Sequence, residues 1–122
     1  MFLKKVYGFP KRVSLIIYLD GIQLPVKIQL MIKGFRHKGL ERFFTGGSKA
    51  GIQAKHTERL RLILGRLNAS ACPEDMNLPG LSLHELIGNR KGTWAVKVSG
   101  NRRVTFTFSD KDAYDVNYED YH

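Results

Sequence analysis

Three runs of alternating apolar and polar residues, joined by short polar turns, constrain the fold of this chain more than any other feature. The runs cover residues 93–99, 103–108 and 113–118. Gly100-Asn101 separates the first run from the second, and residues 109–112 (SDKD) separate the second from the third. Alternation with a period of two, broken by turns this short, is typical of antiparallel strands. The sequence therefore predicts an antiparallel meander, preceded by a shorter strand at 81–86.

The alternation also predicts which face of the meander is buried. Lys97, Arg103, Thr105 and Thr107 fall on the polar face, which we expect to stay open because helices should cover the apolar one. The third strand should end at about Tyr118 and carry the remaining residues directly off a sheet edge. The apolar face is predicted to hold Trp94, Val96 and Val98 from the first strand, Val104, Phe106 and Phe108 from the second, and Tyr114, Val116 and Tyr118 from the third.

Two segments ahead of the strands have the periodicity of amphipathic helices. In residues 36–45, large apolar side chains recur at helical spacing, and Gly46-Gly47 follows as a stop signal. Residues 54–69 have an apolar stripe with i, i+3, i+4, i+7 spacing, and residues 71–80 read as a loop. The predicted fold class is α+β, with two N-terminal helices packed on one face of a small antiparallel β-sheet. The two apolar sets are Leu40, Phe43 and Phe44 in the first helix, and Leu60, Ile63, Leu64 and Leu67 in the second.

The charge balance favours a polyanionic partner. Twenty Lys and Arg residues against eleven Asp and Glu give a net charge of +9, which points to nucleic acid ahead of a membrane surface. A basic surface kept for solubility is the alternative. Arg59, Arg61 and Arg66 lie off the apolar stripe of the second helix, where they form a solvated face or contact a partner or RNA. The single Cys72 excludes a disulfide framework and a cysteine-rich zinc site, and it suits a cytoplasmic location.

Residues 1–30 differ from the rest of the chain. Their apolar run is too short to cross a bilayer, and no small-residue cleavage site follows it. A new, strand-like pattern opens at Met31. We therefore expect a working domain at 31–122, with residues 1–30 as an N-terminal extension or the product of an over-early start. An added N-terminal hairpin is the alternative.

Histidine, arginine and tyrosine side chains gather around the predicted open face. His84 comes from the short strand, Arg90 from the loop after it, and residues 120–122 (DYH) follow the last strand. Cleavage of RNA needs a base for the 2′-hydroxyl, donors for the charge on phosphorus and an acid for the 5′-oxygen, roles that suit histidine and arginine. The four histidines show no close spacing and join no carboxylate cluster, so neither a metal nor a cofactor is predicted. We interpret His37 and His56 as inert surface histidines.

Three stretches of the sequence carry a family resemblance. They are MIKGFRHKGLERFF at 31–44, LHELIGNRKGTWAVKVSGNRRVTFTF at 83–108 and DAYDVNYEDYH at 112–122. The pattern Arg-x-Gly-x-Trp, followed by Asn-x-Arg and a terminal NYEDYH, is specific. These stretches resemble the HigB toxins of the RelE/ParE superfamily, the toxins of bacterial toxin–antitoxin pairs. The likeness spans about three quarters of the chain and leaves residues 1–30 outside.

The resemblance implies a ribosome-dependent mRNA endoribonuclease that cuts within codons at the decoding site. It further implies a helix-turn-helix antitoxin similar to HigA, a ribosome with bound mRNA as the target, and no membrane partner. The oligomeric state stays open. The residues that match the family's catalytic positions are Asp120, Tyr121, His122 and Arg103. The residues expected to bind RNA are His84, Arg90, Lys91, Lys97, Asn101 and Arg102.

One position departs from the family pattern. Members commonly carry a basic residue three positions after the histidine of the Leu-His motif, where this chain has Ile87. The missing cation puts the codon preference and the rate in doubt more than the reaction class. Two other functions remain open: a ParE-like inhibitor of gyrase, which needs no nuclease residues, and a non-catalytic nucleic-acid-binding relative.

Overall fold

A computed structural model describes residues 32–120 in full and three strands ahead of them by their backbone pairing. These strands are β1 (Phe2–Leu3), β2 (Arg12–Leu19) and β3 (Ile22–Gln29), in an antiparallel sheet of order β1-β2-β3. β2 pairs with β3 along the length of both strands. The division of the chain at residue 31 and the role of residues 1–30 stay predictions. Across the described residues, no helix is both long enough and apolar enough to span a membrane.

Helix α1 (Lys38–Gly46) begins later than the predicted residue 36. The backbone N–H of Arg36 donates to the carbonyl of Val116 at 2.9 Å, which holds Arg36 outside the helix. His37 is the N-cap, and its Nδ1 accepts from the N–H of Leu40 at 2.9 Å. The helix ends at Gly47, whose φ of 76° is the left-handed conformation typical of a glycine C-cap.

Helix α2 (Thr57–Asn68) occupies most of the second predicted helix. Its predicted first turn, Ala54–His56, is a 3₁₀ turn instead. The predicted loop 71–80 contains a further 3₁₀ turn at Pro73–Met76, which places Met76 in the core. The apolar stripe predicted for α2 is confirmed, since all four of its members are fully buried.

The four predicted C-terminal strands form one antiparallel sheet in the order β4-β5-β6-β7. Their bounds are β4 His84–Glu85, β5 Trp94–Ser99, β6 Arg102–Ser109 and β7 Asp112–Asp120. The first strand is shorter than the predicted 81–86 because Ser82 has a positive φ of 51°, which interrupts extended backbone. Backbone contact continues on either side, since Lys97 N–H donates to Leu81 O at 2.7 Å and Leu86 N–H to Thr93 O at 2.8 Å.

A β-bulge in β7 changes which of its side chains reach the core. Thr105 pairs with Asn117 and Thr107 with Tyr114, so two residues of β7 stand opposite one residue of β6. Asp115, inside the bulge, has a φ of 54°. The prediction that Tyr114 shares a face with the next two apolar residues is therefore wrong, because the bulge shifts the alternation by one position. The residues of β7 that are buried are Ala113, Val116 and Tyr118.

The segment 32–36 runs parallel to β7 and covers part of its free side. The backbone N–H of Lys33 donates to the carbonyl of Ala113 at 2.8 Å. In return, the backbone N–H of Val116 donates to the carbonyl of Gly34 at 3.1 Å. The first half of β7 is therefore bonded on both sides, by β6 and by this segment. This pairing explains why the sequence from residue 32 onwards has a strand-like pattern.

The predicted α+β class with an antiparallel sheet is confirmed, but the helices follow three strands rather than opening the chain. Leu and Phe side chains of α1 and α2 share one core cluster with residues of β5, β6 and β7. Burying each such side chain stabilises the fold by about 1.5–3 kcal/mol. Trp94 and Phe108 are only partly buried and pack against the cluster from its margin. The opposite face is less open than predicted, because Ala95 and Thr105 are buried there.

Candidate functional site

Polar side chains of three adjacent strands lie in one row on the open face. Lys97 of β5 is paired with Arg103 of β6, which in turn is paired with Glu119 of β7. Neighbouring strands lie about 4.8 Å apart, so two cations and a carboxylate share a short strip of surface. Lys97 is exposed, whereas Arg103 and Glu119 are half-buried.

His84 lies on the same face, in the next row of the sheet. It is paired with Ala95 of β5, which faces the same way as Thr105. The imidazole Nδ1 of His84 is 3.0 Å from the carbonyl oxygen of Ser82, which ties the ring to the backbone just before β4. The sheet thus brings the predicted His84, Lys97 and Arg103 together.

Arg90 closes over this face from the loop between β4 and β5. Its two terminal nitrogens donate to the two carboxylate oxygens of Glu119 at 3.0 and 2.7 Å. The hydroxyl of Thr105 donates to the same carboxylate, and Thr105 is only 1% exposed. The hydrogen bonds from Arg90 hold the pKa of Glu119 below its ordinary value, although partial burial opposes this effect. Glu119 is therefore an ionised carboxylate with a fixed orientation.

Arg103 and Asn101 lie at the turn between β5 and β6. The Nη1 of Arg103 donates to the carbonyls of Gly100 at 2.7 Å and of Arg102 at 3.1 Å. These bonds direct the guanidinium along the turn, whose exposed tip carries Asn101. Lys91 is exposed in the loop that carries Arg90.

Asp120 ends the described part of β7 and is paired with Arg102. Asp120 is exposed, and Arg102 lies over the ring of Tyr118, with its Cζ 4.7 Å from the ring centroid. Tyr121 and His122 lie outside the described residues, so their predicted catalytic roles stay predictions.

A buried cluster around Tyr118 was not predicted from the sequence. The hydroxyl of Tyr118 is hydrogen-bonded to Nδ1 of His56, and the ring of His37 packs edge-on against Tyr118 with centroids 5.5 Å apart. His56 is 4% exposed, so its interpretation as a surface histidine is wrong. One signal was present: His56 precedes Leu60 by four residues and so continues the spacing of the apolar stripe ahead of α2.

Burial determines the protonation of this cluster. It lowers the pKa of His56, with smaller contributions from the nearby positive charges of Lys55 and Arg102. Burial likewise lowers the pKa of His37, and it raises the pKa of the Tyr118 hydroxyl. The cluster is therefore made of neutral groups near pH 7, in contrast to the charged open face.

The arginines of α2 make hydrogen bonds within the domain. Arg59 donates to the carbonyls of Gly80 at 2.5 Å and of Lys97 at 3.2 Å. Arg66 donates to a backbone carbonyl of the following loop at 2.9 Å, and Arg61 forms an i, i+3 ion pair. The sequence had left the role of these arginines open. Their contacts support a structural role for Arg59 and Arg66.

The open face has the chemistry of a phosphate-binding surface. Arginine and lysine supply donors for phosphate oxygens, and His84 adds an imidazole in the neighbouring row. In the described ranges, no three His, Cys, Asp or Glu side chains converge as a metal site would require.

Comparison with known proteins identifies the family. The family model of the RelE-like toxin of type II toxin–antitoxin system HigB matches residues 33–122. The chain is also 40% identical over 92 residues to the endoribonuclease HigB of Proteus vulgaris, and this alignment covers 75% of the chain and 100% of that protein. Both matches confirm the resemblance read from the three sequence stretches. The chain therefore belongs to the HigB family of RelE-like toxins of type II toxin–antitoxin systems.

Proposed function

We propose that this toxin is a ribosome-dependent endoribonuclease that cleaves translated mRNA at the ribosomal A site. The observation that carries the proposal is the row of Lys97, Arg103 and Glu119 on the open face, beside the strand end at Asp120. Its similarity to a protein named an endoribonuclease supports the same reaction. Cleavage of this kind would stop translation and growth.

The proposed reaction uses the nucleophile that RNA itself provides. The 2′-oxygen attacks phosphorus, its proton passes to a base on the protein, and the 5′-oxygen leaves with a proton from an acid. We assign these proton transfers to His122 with Tyr121 and Asp120. Arg103 would stabilise the charge on the phosphate oxygens. The sequence offers these groups without a metal, and we propose a metal-independent reaction.

The surrounding residues would bind and orient the RNA. His84 and Lys97 lie on the open face, and the exposed Lys91 and Asn101 extend it into two loops. Arg102 lies on the other face of the sheet, over the ring of Tyr118, so its predicted contact with RNA stays a prediction. Arg90 was predicted to contact RNA directly, but its guanidinium is bound to Glu119 in this structure. We therefore assign Arg90 an indirect role.

The proposed partners follow from the family. A toxin of a type II system has a protein antitoxin as its partner, and we propose that it is similar to HigA and carries a helix-turn-helix domain. The ribosome with bound mRNA is the proposed target, and the cytoplasm is the proposed location.

Mapping of cut transcripts tests the proposal. Cells expressing the toxin should accumulate mRNA ends at a fixed position within codons of translated genes, and an Arg103→Ala variant should give none. Arg61→Ala is the matched control, because it removes the same charge from an exposed position on α2. Growth arrest with intact transcripts and inhibited gyrase supercoiling would instead support the ParE-like alternative. Arrest with neither effect would indicate a non-catalytic nucleic-acid-binding protein.

A further inference from the structure

Glu119 occupies an unusual position on the open face. It precedes Asp120, to which we assign a catalytic role, and it is paired with Arg103. Its carboxylate nevertheless binds Arg90 through two hydrogen bonds and Thr105 through a third. The carboxylate of Glu119 is therefore bound to the loop between β4 and β5.

That loop is otherwise stabilised by local contacts. Leu86 N–H donates to Thr93 O at 2.8 Å, and Gly92 N–H donates to the carboxylate of Glu85 at 2.9 Å. Both contacts fix the base of the loop on β4 and β5. The Arg90–Glu119 pair instead ties its middle to β7, across the width of the sheet.

The geometry of this pair suits a positioning role. A guanidinium held by two parallel hydrogen bonds to a carboxylate is fixed in orientation as well as in place. The Glu119 side chain is 19% exposed, so water weakens the pair less than at a fully exposed surface. With the pair intact, the charge of Arg90 is balanced.

We infer that Glu119 is a positioning residue for RNA cleavage, which sets the loop 86–93 relative to Arg103 and the strand end at Asp120. This inference rests on the proposed nuclease function. Glu119 does not touch the RNA; it acts through Arg90. Misplacement of a catalytic group by about 1 Å can reduce a rate by about 10²-fold, so the effect on turnover should be large.

Glu119→Gln tests the inference, because it preserves the shape and removes the charge. On programmed ribosomes, we expect kcat to fall by about 10- to 100-fold, with a smaller change in KM. Asp115→Asn is the matched control, since it neutralises an exposed carboxylate of the same strand and should leave kcat within about twofold. Unchanged kcat in Glu119→Gln, with the wild type active, would overturn the inference.

A double variant separates positioning from direct contact. If Arg90 acts only through Glu119, then Arg90→Gln, Glu119→Gln and the double variant should lose similar activity, because each breaks the same link. If Arg90 contacts a phosphate independently, the two losses should multiply, and Arg90→Gln should reduce the salt dependence of RNA binding by about one unit of slope. Multiplying losses would overturn the inference.

A measurement without RNA distinguishes failure of the positioning role of Glu119 from failure of the proposed nuclease function. Hydrogen exchange at the amides of residues 88–93 should become faster in Glu119→Gln and stay unchanged in Asp115→Asn. Inactive wild-type protein with this exchange result would refute the nuclease function while supporting the link between loop and strand. Unchanged exchange in Glu119→Gln would refute the link itself.

Discussion

Tyr118→Phe probes the hydrogen bond between Tyr118 and the buried His56. The variant keeps the ring that packs against Arg102 and removes only the hydroxyl. Nδ1 of an imidazole that is 4% exposed then loses its partner. An unsatisfied buried polar group reduces the free energy of unfolding by about 1–3 kcal/mol. For a domain of this size, each kcal/mol lowers the Tm by roughly 4–8 °C.

Urea unfolding of Tyr118→Phe and Tyr114→Phe at pH 7.5 measures the effect. Tyr114 supplies the matched control, because the bulge places its partly exposed ring on the other side of β7. We expect Tyr114→Phe to change stability by less than about 0.5 kcal/mol. Equal losses in the two variants would refute a specific role for the Tyr118–His56 bond.

The same cluster predicts a dependence of stability on pH. Because burial lowers the pKa of His56 from its ordinary 6.5, the unfolded chain binds a proton more readily than the folded one. The contribution of neutral His56 is therefore complete above about pH 6.5 and declines as the pH falls below that value. His56→Gln should flatten the stability profile between pH 7 and 5.5. A profile as steep as that of the wild type would show that His56 is not the titrating group.

Three further outcomes are expected. Arg103→Ala should abolish toxicity and change the free energy of unfolding by less than about 1 kcal/mol, because a partly exposed arginine contributes little to folding; thermal unfolding would reveal a structural role. His122→Gln should slow ribosomal cleavage by about 10²- to 10⁴-fold with binding retained, and an active variant would exclude proton transfer by this residue. A chain that begins at Met31 should fold and arrest growth, and loss of folding would show that residues 1–30 are structural.

The sequence predicted the sheet well because its strands are consecutive and their turns are short. Period-two alternation is a local signal, and local pairing followed it in the meander. The ends of α1 were less predictable, because Arg36 is held by Val116, which is 80 residues away along the chain. Helix propensity depends on neighbouring residues in the sequence, so it cannot predict a contact over this distance along the chain.

The candidate site was predictable where it depended on register and unpredictable where it depended on long-range pairing. Placing Lys97 beside Arg103 requires only the alternation of two neighbouring strands. The partnership of Arg90 with Glu119 and that of His56 with Tyr118 join residues that are 29 and 62 positions apart. Charge and polarity identified these residues as candidate site residues or as inert surface residues, but only the packed fold shows which residues they contact.

Beyond the bulge at Asp115, the face on which a β7 side chain lies depends on whether its residue number is even or odd. Beyond it, even-numbered positions such as Tyr118 face the helices and odd-numbered ones such as Glu119 face the opposite side. Deleting Asp115 would remove the bulge and leave both sets on their faces, because Val116 alone would then stand opposite Phe106. Deleting Asn117, beyond the bulge, would exchange the two sets, so that the Glu119 carboxylate would enter the core and the Tyr118 ring would face away from it. Insertions and deletions of single residues should therefore be excluded from the part of β7 beyond the bulge, whereas the turn that precedes the strand can vary in length.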